Sequence, residues 1–197
     1  MGDNATVMSS SQMQNQDHGK ALVTGGGGFL GRAITQRLLA EGWRVASLNR
    51  REYPDLKQQG VEVFQGDLAD PHVVRQACAG CDVVFHVAAK AGVWGSHADY
   101  YWPNVEGTRN VIAACRANGV SRLIFTSSPS VVFNGTDMEG IDESFPYARR
   151  HRFHYSATKA ESEQMVLAAS GEGLKTVAVR PHLIWGPGDN HIIPRII

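Results

Sequence analysis

The chain has no surplus charge of either sign: 19 Lys and Arg residues balance 19 Asp and Glu residues over 197 positions. No global field therefore draws it to nucleic acid or to an anionic membrane, although a local basic groove stays open. Long hydrophobic runs are lacking too. Stretches such as Val83-Val84-Phe85 fall far short of the roughly twenty apolar residues that cross a bilayer. The first residues do not follow the charged-then-apolar plan of a signal peptide, so the cytoplasm is the expected compartment. Cysteine is scarce and odd in number, at three, which argues against a disulfide framework. Cys78-x-x-Cys81 is placed to close a helix, whereas a redox pair opens one, where the dipole lowers a thiol pKa. The eight histidines show no paired ligand spacing, and no metal site is expected. With 43% hydrophobic residues, the chain can bury one sizeable core but not two large domains.

What the chain does have is a steady alternation of strand-like and helix-like segments. Residues 1–18 are polar, rich in Ser, Gln and Asn, and without apolar periodicity, so they are read as a disordered leader to a domain over 19–197. An apolar strand 20–24, a helix from about Phe29 to Glu41 stopped by Gly42, and a strand Arg44–Leu48 make one βαβ unit. Strand Val61–Gln65 leads to Gly66-Asp67, and Asp70-Pro71 supplies an N-cap and a first-turn proline for a helix over 71–79. Strand 82–87, a helix from about Val105 to Asn118, strand Arg122–Ser127, a helix from about Ser156 to Ala169 and strand Thr176–Arg180 complete the series. Six strands separated by helices predict an α/β fold with a doubly wound parallel sheet of the Rossmann type. Ligands in such sheets sit beyond the carboxyl ends of the strands. Small or polar residues recur there: Gly25 to Gly31, Asn49-Arg50-Arg51, Asp67, Ala88-Ala89, Ser127-Ser128 and Pro181.

Lys20 to Gly31, KALVTGGGGFLG, is a strand that runs into a glycine-rich turn and then a helix, the arrangement that seats a pyrophosphate on unpaired helix N–H groups. Its spacing satisfies both Gly26-x-Gly28-x-x-Gly31 and Gly25-x-x-Gly28-x-x-Gly31. An NAD-preferring site usually places a carboxylate after the second strand. Here Asn49 is followed by Arg50 and Arg51, and a guanidinium can grip a 2′-phosphate that a carboxylate would repel. NADP(H) is the expected cofactor, with NAD(H), served by Glu52 or Asn49, as the alternative. Asp67 is placed to accept from the adenine amino group or to form a turn. Tyr155-Ser156-Ala157-Thr158-Lys159 sets a phenol and an ammonium four residues apart on one helix face. A lysine cation there favours the phenolate and makes the hydroxyl a better proton donor or acceptor. Ser128 ends the preceding strand, placed to hydrogen-bond a substrate oxygen.

With these residues in view, the chain over 20–197 resembles the extended short-chain dehydrogenase/reductase family. The motifs are TGGGGFLG at 24–31, GDL at 66–68, HVAA at 86–89, NVEGT at 104–108, TSSPSVVF at 126–133, YSATK at 155–159 and RPHLIWGPGD at 180–189. Within that family it is most similar to the 3β-hydroxysteroid and sterol-4-carboxylate dehydrogenase branch. AAKAGVWGS at 88–96 and NVEGTRNVIAACRANGV at 104–120 look closest to the bacterial 2-alkyl-3-oxoalkanoate reductases. The resemblance implies that Tyr155 is the general acid/base, that Lys159 holds the nicotinamide ribose and tunes Tyr155, and that Ser128 orients the substrate oxygen, with Ser127 and Ser130 as weaker choices. It implies that Asn104 supports a water or an active-site loop. It also places Gly25, Gly28, Phe29, Leu30, Gly31, Asn49, Arg50, Asp67, Leu68, Ala88, Ala89, Tyr155, Lys159 and Pro181 around the cofactor.

The expected function is an NADP(H)-dependent interconversion of a ketone and a secondary alcohol on a small hydrophobic 3-oxo or 3-hydroxy substrate, of the 2-alkyl-3-oxoalkanoate or sterol type. A nucleotide-sugar epimerase or dehydratase is the second reading. Against it, Ser128-Pro129-Ser130 lacks a dehydratase's acidic pair, and Val93-Trp94 with Tyr100-Tyr101-Trp102 suit a greasy ligand, a core or a dimer contact. A third reading is a dinucleotide-binding module without catalysis. Family members run well past the Gly-Pro-Gly-Asp motif, so a fragment or a truncated product without most of its substrate lid is expected. A homodimer through helices 105–118 and 156–169 is a family expectation.

Overall fold

Period-two alternation in the strands sorts their side chains onto two faces of one sheet. The computed structural model describes residues 18–189. Six strands run parallel in the order β3-β2-β1-β4-β5-β6. They are β1 (Lys20–Thr24), β2 (Arg44–Asn49), β3 (Glu62–Gln65), β4 (Val83–His86), β5 (Arg122–Thr126) and β6 (Lys175–Val179). Leu22, Ala46, Leu48, Val84, Leu123 and Phe125 pack on one face against α3 (Pro71–Ala77), α5 (Gly107–Ala117) and α6 (His154–Ala168). Ala21, Val23, Val45 and Val83 pack on the other, toward α1 (Phe29–Ala40) and α2 (Pro54–Gln58), which contribute Leu38 and Leu56. The doubly wound parallel sheet is thus as expected. The strand order reverses between β1 and β4, which puts a crevice at their carboxyl ends.

The helical boundaries differ from expectation at informative places. The run expected to begin near Val105 begins at His97. A short α4 (His97–Tyr100) is capped by the Ser96/Asp99 capping box, and a π-helical turn, Tyr101–Glu106, then leads into α5. Pro103 lies inside that turn and offers no N–H, so a widened turn is the way the chain stays helical past it. The short α2 was not anticipated. It starts on Pro54 and is held by the fully buried Leu56. Asp70 caps α3 as read, its side chain accepting from the His72 N–H at 2.9 Å. Cys78 ends α3, Cys81 precedes β4, and both are buried free thiols, as is Cys115. A hydrogen bond with Cys115, with burial, pushes the Cys78 thiol far up, and burial pushes Cys81 up to about 12, so neither is a nucleophile. The expected leader lies outside the described residues, except His18, which stacks on Trp43. No helix among the described residues is long and apolar enough to cross a membrane.

The β1–α1 turn is where backbone approaches backbone most closely. Gly25 adopts φ +71°, and a Cβ on Gly31 would lie 2.1 Å from the Gly25 carbonyl oxygen. Because that obstacle is main chain, it cannot rotate away. Gly31→Ala is expected to cost about 2–3 kcal/mol or more of unfolding free energy in urea melts. Gly171→Ala, where a Cβ meets nothing within 4 Å, should stay within about 0.5 kcal/mol of the parent.

Candidate active site

A cavity of about 460 Å³ opens at the carboxyl ends of the strands. Gly25, Gly28 and Gly31 line it and Gly26 and Gly27 do not, so of the two spacings it is Gly25-x-x-Gly28-x-x-Gly31 that faces the cavity. The two hidden glycines serve packing: a Cβ on Gly26 would sit 2.3 Å from Ser47 Oγ, and one on Gly27 2.2 Å from the Tyr53 ring. On Gly28 a Cβ would meet only the Gly25 carbonyl oxygen, at 3.2 Å, so its bare side faces the cavity. Phe29 and Leu30 open α1 beside it. No side chain caps that helix and no acidic residue lies in its first turn, so its leading N–H groups and positive dipole end stay available to a phosphate. These features fit a dinucleotide.

Asn49 turns out to hold the loop itself. Its Oδ1 accepts from the Gly27 N–H at 2.9 Å, and its Nδ2 donates to Ser47 Oγ at 2.8 Å. Arg50 and Arg51 are exposed at the cavity mouth. Arg32, also near, is committed to an ion pair with Asp55 that joins α1 to α2; the hydrogen bond from Arg32 holds the Asp55 carboxyl below its ordinary range. Asp67 lines the cavity and also accepts from the Ala69 N–H at 2.9 Å, so it forms the turn that was its alternative reading. Leu68 forms buried wall beside it.

At the other end Ala88, Ala89, Thr126, Ser127, Tyr155 and Lys159 share the wall. Lys159 is 2% exposed. Its Nζ donates to the Thr126 carbonyl at 2.5 Å and lies 3.9 Å from the Phe125 ring centroid. Burial pulls its pKa down to about 7, against the opposing charge of Glu163. Burial also raises the Tyr155 phenol, and what opposes it is a hydrogen bond with Ser128. The expected lysine-driven shift of Tyr155 toward phenolate is therefore not the arrangement found, because the ammonium is spent on the Thr126 carbonyl. Ser128 does not line the cavity, and its Oγ lies 2.9 Å from Ser130 Oγ at the start of a 3-10 turn, Pro129–Val131. Pro181 is not part of the wall; Ile184 and Asp189 line it instead. Asn104 is not part of it either. It lies buried in the π-helical turn, where its Oδ1 accepts from the Lys90 N–H at 2.8 Å and its Nδ2 donates to the Lys90 carbonyl at 3.1 Å.

Two buried groups beneath the site were not singled out from the sequence. Thr24 Oγ1 accepts from the Val87 and Ala88 N–H groups, so its own hydroxyl proton must go to His86 Nδ1, 2.8 Å away. The ring proton then sits on Nε2, facing Thr108 Oγ1 at 3.0 Å, and the Thr108 hydroxyl donates to the Asn104 carbonyl at 2.5 Å. Burial, aided by the Lys159 charge, drops His86 to about 3 and keeps it neutral. The second group is Glu163, 1% exposed, one turn beyond Lys159. Arg180 grips its carboxylate, Nη2 to Oε1 at 2.6 Å, and the Tyr147 hydroxyl donates at 2.8 Å. Burial works to raise Glu163, yet these partners hold it below its ordinary value. The i+4 spacing from Lys159 was the signal that could have found it. Among the described residues no cluster of three or more His, Cys, Asp or Glu side chains could hold a metal.

The model of the 3-beta hydroxysteroid dehydrogenase/isomerase family matches residues 22–197. The 2-alkyl-3-oxoalkanoate reductase of Shewanella oneidensis is 53% identical over 184 residues, covering 90% of this chain and 48% of that protein. The enzyme of the same name from Stenotrophomonas maltophilia is 53% identical over 179 residues, with 90% and 54% covered. A Mycobacterium tuberculosis 3 beta-hydroxysteroid dehydrogenase/Delta 5-->4-isomerase is 39% identical over 186 residues, with 90% and 50% covered. The chain spans about half the length of the curated relatives it matches. Among solved structures, MoeE5 in complex with UDP-glucuronic acid and NAD superposes with a TM-score of 0.76 at 31% identity, over 86% of this chain and 56% of that one. The Thermus thermophilus UDP-glucose 4-epimerase complex with NAD gives a TM-score of 0.70 at 34% identity, over 82% and 54%.

Folding carries Lys159 from an ordinary value near 10.5 to about 7. Between those values the unfolded chain binds the extra proton, so stability climbs as pH rises through that window, and the buried charge is most costly below pH 7. Lys159→Met is expected to be more stable than the parent at pH 6, by on the order of 3 kcal/mol. The gain should shrink markedly by pH 9.5. Paired urea melts at the two pH values check it; an equal difference at both would contradict the buried cation.

Proposed function

The chain belongs to the 3-beta hydroxysteroid dehydrogenase/isomerase family, and from that membership we propose a reductase that interconverts a ketone and a secondary alcohol on a hydrophobic 3-oxo or 3-hydroxy acid. The observation that carries the reading is one cavity shared by the Gly25-x-x-Gly28-x-x-Gly31 cradle at one end and by Tyr155 and Lys159 at the other. Residues Gly28 to Gly31 would hold the pyrophosphate, and Arg50, exposed and without a carboxylate beside it in sequence, would favour NADP(H) over NAD(H). When bound, the cofactor supplies or accepts the hydride. The protein's share is proton transfer and alignment. Tyr155 would donate its phenolic proton to the carbonyl oxygen in reduction and take it back in oxidation, with Ser128 as the hydrogen-bond partner that opposes the burial-driven rise of its pKa. Lys159 would place positive charge one turn away on the same face. The relatives named 2-alkyl-3-oxoalkanoate reductase, with exposed Val93 and Trp94 beside the cavity loop, support a long-chain 2-alkyl-3-oxoalkanoate as substrate over a nucleotide sugar. Three buried free thiols support a reducing, cytoplasmic setting. The half-exposed Leu167 on α6 supports dimerisation along that helix.

Tyr155→Phe should abolish turnover while leaving cofactor affinity nearly unchanged, since only the transferable proton is removed. Retained activity would refute the assigned mechanism. Arg50→Ala should weaken NADPH binding by roughly 1.5–3 kcal/mol while leaving NADH affinity close to the parent's. Fluorescence titrations with both cofactors read this, and equal losses would exclude the 2′-phosphate role.

A further inference from the structure

Four cationic side chains line the cavity among the described residues: Arg50, Arg51, Lys90 and Lys159. The two arginines follow β2, on the far side of β1 from β4, and thus lie away from Tyr155. Lys159 is buried and donates to the Thr126 carbonyl. Lys90 alone follows β4, next to β5 and the Tyr155 end, with a side chain still 35% exposed. Its backbone is clasped on both sides by Asn104, whose Nδ2 also donates to Thr158 Oγ1 at 3.0 Å on α6. The lysine is therefore fixed relative to the helix that carries Tyr155.

We infer that Lys90 is the anchor for the carboxylate of the substrate and selects acids over neutral ketones. This rests on the reductase reading. Its ammonium forms an ion pair with Asp99 Oδ2 at 3.9 Å, too long for a hydrogen bond, and that carboxylate oxygen already accepts from the Ser96 N–H at 2.8 Å. The Tyr100 ring, 5.1 Å from Nζ to centroid, steadies the charge without using its N–H donors. Donors thus remain for a ligand oxygen, where a charge-assisted bond forms. Beyond Lys90 the same loop presents Val93 and Trp94, the latter 86% exposed with its carbonyl held by the Tyr100 hydroxyl at 2.9 Å. A cation and apolar side chains carried by one loop with its backbone held at Lys90 and Trp94 fit an acid with a long alkyl branch. A neutral sterol carries no anionic group for the cation.

The test is calorimetric binding of a long-chain 2-alkyl-3-hydroxyalkanoate and of its methyl ester to the 197-residue chain, with NADPH present so that the alcohol cannot react. The parent should bind the acid about tenfold or more tightly than the ester. Lys90→Met should bring the two affinities within about twofold, with NADPH affinity retained as evidence of folding, and Lys90→Arg should restore the preference. A Lys90→Met protein that keeps the parent's acid preference overturns the inference, as does a parent that binds acid and ester equally. A parent that binds neither ligand overturns the reductase reading and this inference with it.

Discussion

Asn104 is the buried side chain on which the site's geometry depends. A primary amide sealed from water must have its donors and acceptor paired or cost the fold their full desolvation, and the partners of Asn104 come from the loop after β4, from α5 and from α6. It ties the loop after β4 to α6 through Lys90 and Thr158. Its own carbonyl receives hydroxyls from Thr108 on α5 and Ser162 on α6. Thr108 continues to His86 and Thr24, and so to the floor of the β1 loop. Loop, sheet and helices are thereby registered against one another by groups that have no water to fall back on.

The buried lysine shows what such a site costs the fold. An ammonium sealed beside a ring and a carbonyl is a poor use of a core position. It is tolerated because Glu163 stands one turn behind it with a carboxylate kept ionised by Arg180 and Tyr147. Breaking that rear pair would leave an uncompensated charge, which is far more costly than replacing both partners together. The fold thus carries a buried cation at a local cost in stability.

Much of this was legible in the sequence because it rests on local rules. Period-two apolar runs gave the strands, glycines the turn after β1, and Asp70-Pro71 the start of α3. The YSATK spacing placed Tyr155 and Lys159 on one face, and the cavity contains both. What stayed hidden depends on tertiary partners. Asn49 reads as a cofactor ligand from its place at the end of β2, yet its amide oxygen is drawn to the Gly27 N–H, a donor that only the folded loop presents. Pro103 lies before the helix expected from about Val105 and instead sits within a π-helical turn of a run that starts at His97. Pro181 follows β6 as expected, but Ile184 and Asp189 reach the cavity in its place. Ser128 does not line the cavity, and its hydroxyl meets Ser130 Oγ where the 3-10 turn at Pro129 begins.

The clasp on Lys90 also gives the site a built-in reporter. The Lys90 amide lies outside any strand or helix, where exchange with solvent deuterium is normally rapid, yet its proton is locked onto Asn104 Oδ1. That single proton escapes only when the loop lifts from the π-helical turn. Its exchange rate therefore measures the free energy of opening this corner of the cavity, separately from unfolding of the sheet beneath.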